Sequence, residues 1–117
     1  MAIDLQEMQA LGLWRRAVVT TVASDAPDLS ARQMAVLLTV YLTAPPHTVR
    51  GLAQILKVSK PAITRALDRL DTFDLVRRRT DEADRRSVVV QRTVRGSVFL
   101  REFGETITAA ARAVDRG

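Results

Sequence analysis

Apolar residues recur every three or four positions near the start of the chain, which predicts a first amphipathic helix over residues 3–23. Its apolar positions are Met8, Leu11, Trp14 or Ala17, Val18 and Val22. After a break that contains a proline, Ser30 and Gln33 have the spacing of a capping box and predict the start of a second helix. Its apolar stripe is Met34, Leu37, Leu38, Tyr41 and Leu42. Two prolines then end this helix.

Two further helices follow, separated by a tight turn. Thr48 is predicted to cap a short helix over Val49–Leu56 that buries Leu52, Ala53 and Leu56. The turn lies at residues 57–58, and Ser59 is predicted to cap a helix that runs to about residue 73. Pro61 is compatible with the first turn of that helix, where its missing amide proton would be unpaired anyway.

The next segments, 75–79 and 87–92, are rich in β-branched residues and predict a hairpin with a polar connection over 80–86. Thr93 is predicted to cap a last helix. Its apolar face comprises Val94, Val98, Phe99 or Leu100, Phe103, Ile107, Ala110 and Val114. The predicted fold class is therefore mainly α with a small β-hairpin.

The helix that follows Ser59 has two chemically different faces at 100° per residue. One face is apolar and comprises Ile63, Ala66, Leu67 and Leu70; the other carries Lys60, Pro61, Thr64, Arg65, Asp68 and Arg69. With the preceding short helix and turn this is a helix-turn-helix, whose second helix can enter a major groove. Free amides at Ser59 and Lys60 also favour a phosphate. A solvated amphipathic helix would show the same pattern.

The hairpin adds a second basic element directly after this helix. Its first strand ends in three arginines, and its connection contains Asp84, Arg85 and Arg86. Arginine is favoured in narrow minor grooves. We expect a local ion pair between Asp84 and Arg86 that holds the loop and aims Arg85. A charged surface hairpin is the alternative, but a helix-turn-helix followed at once by a basic hairpin is the order of a winged helix.

The distribution of charge supports a nucleic-acid partner. The chain has 117 residues, a net charge of +5 and 18 basic residues, of which 16 are arginine. Residues 50–95 hold 12 basic and 6 acidic residues, and the rest of the chain is close to neutral. Arginine suits phosphates and guanine edges, although a GC-rich coding sequence gives the same bias.

Several function classes are not supported by the sequence. The chain has no cysteine and one histidine, so no thiolate chemistry, metal site or cofactor is predicted. It has no glycine-rich phosphate loop and no paired carboxylates on an apolar face, and we predict no catalytic site. It carries no export signal and no apolar run of membrane-spanning length, which predicts a cytoplasmic protein.

The middle of the chain resembles the MarR-type winged-helix transcription regulators over about residues 30–96. The resemblance is carried by the LAQIL helix, Ser59, Ile63-Thr64, residues 67–70, the LVRRR strand, residues 84–86 and residues 93–96. It implies that Ser59, Lys60, Pro61, Thr64 and Arg65 meet the major groove. It further implies that Arg69 and Arg78 lie near phosphates and that Arg85 is at the wing tip, with Asp84 and Arg86 shaping the wing and Arg86 also contacting DNA.

The resemblance also implies an organisation in three parts and a homodimer. Residues 1–29 and 94–117 would carry dimerisation helices, and residues 30–93 the winged helix-turn-helix core. One helix follows the wing, where the family's dimerisation region is usually longer. Three positions depart from the family pattern: Gly51 stands where a helix former is usual, Asp74 replaces a glycine after the recognition helix, and Arg92 replaces an apolar residue.

Two questions stay open at this point. Trp14, Tyr41 and His47, with Phe99 and Phe103, could line a pocket for a small-molecule effector, since such regulators often respond to small aromatic or carboxylate compounds. The alternative is that the aromatic residues are core and that His47 is a loop residue. For function, the prediction is a homodimeric transcription regulator, a repressor or an activator, that binds double-stranded DNA at a palindromic operator. The alternative is a winged-helix protein-interaction module.

Overall fold

The computed structural model describes residues 5–115. This part of the chain forms α1 (Glu7–Ala23), α2 (Ala31–Leu42), β1 (His47–Thr48), α3 (Val49–Leu56), α4 (Lys60–Thr72), β2 (Val76–Thr80), β3 (Val88–Arg92) and α5 (Val94–Asp115). The predicted order of helices is confirmed. The helix ends predicted at residues 3–4 and 116–117 lie outside the described residues. None of the described helices is both long and apolar enough to cross a bilayer.

The chain divides into two compact units. One contains the described residues up to Asp28 together with those from Phe99 onward, and the other is Leu29–Val98. The second unit holds both the helix-turn-helix and the hairpin.

The sheet of the second unit has three antiparallel strands in the order β1-β3-β2. The predicted hairpin is present, with Val76 opposite Arg92 and Thr80 opposite Val88. The third strand, β1, pairs His47 with Val90 and was not predicted. The loop interpretation of His47 is therefore wrong, since the side chain is buried within a strand. A strand of two residues has no alternation that a sequence pattern could reveal.

The core of the second unit lies between α2, α3, α4 and the sheet. Its fully buried large side chains are Val36, Leu37, Val40, Leu52, Ile63, Leu67, Leu70, Leu75 and Val76. The predicted apolar face of α4 is confirmed. The predicted stripe of α2 is partly wrong: Leu42 is exposed, and Val36 and Val40 are buried instead. Leu56, predicted to be buried, is only half-buried. The α2 sequence is apolar on more than one face, so its contacts with α4 and β3 select the buried one.

Four predicted helix caps are confirmed. The Ser30 hydroxyl accepts from the Gln33 amide at 3.1 Å, and the Gln33 side chain accepts from the Ser30 amide at 2.9 Å. Thr48, Ser59 and Thr93 accept in the same way from the amides three residues later, Gly51, Ala62 and Gly96. Each cap satisfies an amide that the helix itself leaves unpaired.

The first unit is built by α1 and the part of α5 from Phe99 onward. Its buried apolar residues are Ala17, Phe99, Phe103 and Ala110. Trp14 packs edge-on against Phe103, with ring centroids 6.3 Å apart. The predicted apolar stripe of α1 is mostly not core in this single chain, since Met8, Leu11, Trp14, Val18 and Val22 are exposed. Ala17, the predicted alternative to Trp14, is buried. Val94 and Val98, predicted on the apolar face of α5, are exposed as well.

Candidate nucleic-acid interface

The polar face of α4 is presented to solvent. Ser59, Lys60, Pro61, Thr64, Arg65 and Arg69 are exposed, while five apolar residues of the same helix are buried. The turn before α4 is made by Lys57 in the left-handed conformation, with φ of 58°. The Val58 amide donates to the Ala53 carbonyl oxygen at 3.1 Å and closes the turn. The buried face fixes α4 in the core. The side chains on the opposite face of this helix are therefore accessible to a ligand.

The connection between β2 and β3 is held by hydrogen bonds within the loop. The Asp81 amide donates to the Ser87 carbonyl oxygen, and the Ser87 amide donates to the Asp84 carbonyl oxygen. Asp84 Oδ1 accepts from the Arg86 amide at 3.1 Å and lies 3.8 Å from Arg86 Nε. The predicted pairing of Asp84 with Arg86 is confirmed. Arg85, between them, is exposed.

A groove of about 550 Å³ lies where α3, α4 and the start of β3 meet. It brings together four residues predicted for the site, Lys60, Thr64, Asp84 and Arg86. The groove also contains Arg50, from the first turn of α3, which was not predicted. The sequence signals for Arg50 were its place at the start of a capped helix before the turn and its membership of the basic segment 50–95.

Arg78 has carboxylate partners in the protein. Its guanidinium lies 2.8 Å from Asp68 Oδ1 and 3.2 Å from Asp71 Oδ2, both on α4. Burial lowers the pKa of Arg78, but the hydrogen bonds and charges of the two aspartates outweigh this and raise it above its ordinary value. Arg78 therefore joins β2 to α4. Its predicted place near a phosphate stays a prediction, and the pairing favours a positioning role.

Other predicted residues also make contacts within the protein. Arg69 lies over the Phe73 ring at 4.6 Å while remaining exposed. The Tyr41 hydroxyl donates to the Leu75 carbonyl oxygen at 2.6 Å and accepts from the Thr93 amide at 2.8 Å. His47 Nε2 lies 3.2 Å from the Thr43 carbonyl oxygen. These polar atoms of Tyr41 and His47 thus have protein partners, and the effector pocket proposed for them with Trp14 stays a prediction.

Two departures from the family pattern have a structural explanation. Asp74 adopts a φ of 56°, the conformation for which glycine is usual and which aspartate tolerates better than most residues. Arg92 donates from Nε to the Val40 carbonyl oxygen and from its terminal nitrogen to the Thr43 carbonyl oxygen. It thereby satisfies carbonyl groups at the end of α2, which an apolar residue could not do.

A capped helix-turn-helix with a basic exposed face, followed by a hairpin with an arginine-containing tip, defines a winged-helix DNA-binding fold. The MarR family model matches residues 29–88, which is more than half of the chain. The chain therefore belongs to the MarR family of winged-helix transcription regulators.

Solved structures show the same fold. The structure of MarR is 24% identical, with a TM-score of 0.71, and the match covers 97% of this chain and 82% of that one. A mutant of S. aureus MepR bound to an oligodeoxyribonucleotide is 18% identical, with a TM-score of 0.79 and coverages of 93% and 78%. CouR from Rhodococcus jostii RHA1 bound to p-coumaroyl-CoA is 27% identical, with a TM-score of 0.63 and coverages of 88% and 67%. Comparison with curated protein sequences gave no match.

Proposed function

We propose that this protein is a sequence-specific transcription regulator that binds double-stranded DNA as a homodimer. The observation that carries the proposal is the division of α4 into a buried apolar face and an exposed face with a lysine, a threonine and two arginines. A helix anchored in this way fits a major groove about 12 Å wide and presents its first turns to the base edges.

In this proposal Lys60, Thr64 and Arg65 read bases in the major groove. Arginine and lysine donate to guanine O6 and N7, and a threonine offers a hydroxyl and a methyl group. Ser59 and Pro61 lie at the start of the same helix and contact the groove beside these residues. Arg69, one turn after Arg65, contacts a phosphate. Contacts between side chains and base edges give sequence selectivity, whereas contacts to phosphates position the protein without reading sequence.

The wing contacts the minor groove that adjoins the major groove in which α4 lies. Arg85 and Arg86 supply the charge, which the negative potential of a narrow minor groove attracts. Asp84 shapes the loop, since its carboxylate accepts from the Arg86 amide and lies beside the Arg86 guanidinium. Arg78 acts indirectly by joining β2 to α4 through Asp68 and Asp71.

The exposed face of α1 supports a homodimer. Its apolar side chains Met8, Leu11, Trp14, Val18 and Val22 occupy one stripe at helical spacing and are exposed in the single chain. Contiguous exposed apolar surface of this kind marks an association site. A two-fold dimer predicts a palindromic operator whose half-sites lie about 10 base pairs apart.

A small-molecule effector that changes DNA affinity is also part of the proposal. CouR was solved with p-coumaroyl-CoA bound, so a structure with this fold can hold an aromatic carboxylic acid derivative. Thermal shift of the purified protein with a panel of aromatic carboxylates tests this part separately. A ligand that stabilises the protein and also changes its affinity for DNA would support it, and a panel without such a compound would oppose it.

A selection from randomised duplexes tests the DNA-binding proposal. Purified protein should enrich one motif with two-fold symmetry, and it should bind the enriched duplex more tightly than a scrambled duplex of the same composition. Specific complexes of this kind exceed non-specific binding by about 10³-fold or more. Equal affinity for both duplexes, with no enriched motif, would contradict sequence-specific binding and favour a protein-interaction module.

A further inference from the structure

We propose that Arg50 is a further DNA-binding residue of this protein, which binds a backbone phosphate in the groove between α3, α4 and the wing. The inference rests on the proposed function and adds a contact from the first helix of the helix-turn-helix. The groove holds three cationic side chains, from Arg50, Lys60 and Arg86, and one carboxylate, from Asp84.

The charges in the groove are not balanced by the protein. Asp84 lies beside Arg86, 3.8 Å from its Nε, so one of the three cations has an anionic neighbour. Among the described residues, neither Arg50 nor Lys60 forms a salt bridge. Both side chains are exposed. Two positive charges therefore face the groove without a carboxylate partner, which suits an anionic ligand.

The position of the groove identifies that anion. If α4 lies in the major groove and the wing reaches the adjacent minor groove, one DNA strand must pass between the two elements. The groove is the space between the exposed face of α4 and the start of β3. The part of a strand that crosses from one groove to the next is its sugar-phosphate backbone. A phosphate diester there would bind Arg50 from α3, and the positive charges of Lys60 from α4 and Arg86 from the wing would lie nearby.

Local stability does not explain the presence of an arginine at position 50. Arg50 is the second residue of α3, and the first turn of this helix contains no acidic residue. A basic residue near a helix N-terminus opposes the helix dipole and is unfavourable. The next residue, Gly51, donates its amide to Thr48 Oγ1, and a β-carbon there would lie 3.1 Å from this capping oxygen. An unfavourable charge at this capped helix start, with no acidic residue in the first turn, is consistent with a site for an external anion.

Arg50→Ala tests the inference, with Arg77→Ala as the matched control. Arg77 is an exposed arginine of β2 that lies outside the groove, so both variants lose one charge. The affinity of each for the selected duplex is measured between about 50 and 200 mM salt. Loss of one phosphate contact should reduce the slope of log affinity against log salt by about 0.9 for each subunit bound. Between these two salt concentrations, the factor by which affinity falls should therefore be about 3.5 times smaller for Arg50→Ala than for the parent, for each subunit bound. Arg77→Ala should keep the parent slope.

Duplexes with single methylphosphonate linkages then locate the contact. At one backbone position in each half-site, the parent should lose more affinity than Arg50→Ala does, because Lys60 and Arg86 remain near that phosphate in the variant. Thermal unfolding should show Arg50→Ala to be at least as stable as the parent, since the charge opposes the dipole of α3. A common slope for Arg50→Ala and Arg77→Ala would overturn the inference, as would a linkage scan in which no position distinguishes Arg50→Ala from the parent. A parent protein that binds no duplex would instead contradict the proposed function itself.

Discussion

At Gly96 the main chain of α5 passes directly against the Tyr41 side chain. A β-carbon at this position would overlap the Tyr41 hydroxyl and the Leu75 carbonyl oxygen, which are hydrogen-bonded to each other. The Gly96 amide is also bound, since it donates to the Thr93 hydroxyl at 2.9 Å. The end of α2, the start of β2 and the start of α5 therefore pack closely together around Gly96.

Gly96→Ala should lower the free energy of unfolding by about 1–3 kcal/mol, because an added methyl group in a filled site forces neighbouring atoms to move. Urea unfolding measures the change. Gly104→Ala is the control, since nothing lies within 4 Å of a β-carbon at that helical position. It should stabilise the protein by up to about 1 kcal/mol, as alanine does in place of glycine inside a helix. Equal effects of the two variants would contradict the close-approach explanation.

Arg65 is the residue of α4 whose loss should change sequence selectivity most clearly. Arg65→Ala should cost about 1–3 kcal/mol in affinity for the selected duplex and relax the preference at one base position. Competition between the selected duplex and its single-base variants measures both effects. The exposed Arg32 of α2, replaced in Arg32→Ala, is the control for loss of one positive charge. If Arg65→Ala bound selected and scrambled duplexes as the parent does, the proposed readout would be wrong.

At the scale of elements, the orientation of α4 relative to the wing depends on contacts beyond the apolar core. Arg78 on β2 bridges Asp68 and Asp71 on consecutive turns of α4, so that helix and strand are joined by two ion pairs. The side chain of Arg78 is 26% exposed, whereas those of the aspartates are about half exposed. We therefore expect a modest contribution that falls as salt is added.

Arg78→Ala should destabilise the protein by about 1 kcal/mol, and a double-mutant cycle with Asp68→Asn should show coupling between the two residues. Because the pKa of Arg78 is raised, the pair contributes below the unfolded-state value and is lost only as pH rises through the folded-state value, in strongly alkaline solution. Unfolding in urea at several pH values around neutrality should thus give a constant difference from the parent. The control is Arg79→Ala, which removes the exposed neighbour of Arg78. If the effects of the Arg78→Ala and Asp68→Asn substitutions on the free energy of unfolding simply added in the double variant, the proposed ion pair would be contradicted.

For the whole molecule, the proposed homodimer would bury the apolar face of α1 that the single chain exposes. Leu11→Arg and Val18→Arg should each weaken self-association about tenfold or more, because an unpaired charge would enter an apolar interface. Sedimentation equilibrium measures the dissociation constant. Gln54→Arg, at an exposed polar position of α3, adds the same charge elsewhere and should leave association unchanged. A parent protein that stays monomeric at every concentration would contradict the proposed homodimer.

The local features of this protein follow from its sequence alone. The caps at Ser30, Thr48, Ser59 and Thr93 and the two faces of α4 were predicted correctly, because each depends on residues no more than four positions apart. The concentration of positive charge in residues 50–95 was equally visible. Together with the turn and hairpin, these features were sufficient for the winged-helix fold.

Packing between elements determines the features that depend on residues distant in sequence or on competing helix faces. His47 became part of a strand because it pairs with Val90, and α2 buried Val36 and Val40 because α4 and β3 cover that side. The partners of Arg78 and the place of Arg50 in the groove likewise depend on how α3, α4 and the hairpin pack. Local periodicity selects a helix or strand, but only packing between elements selects which side chains meet.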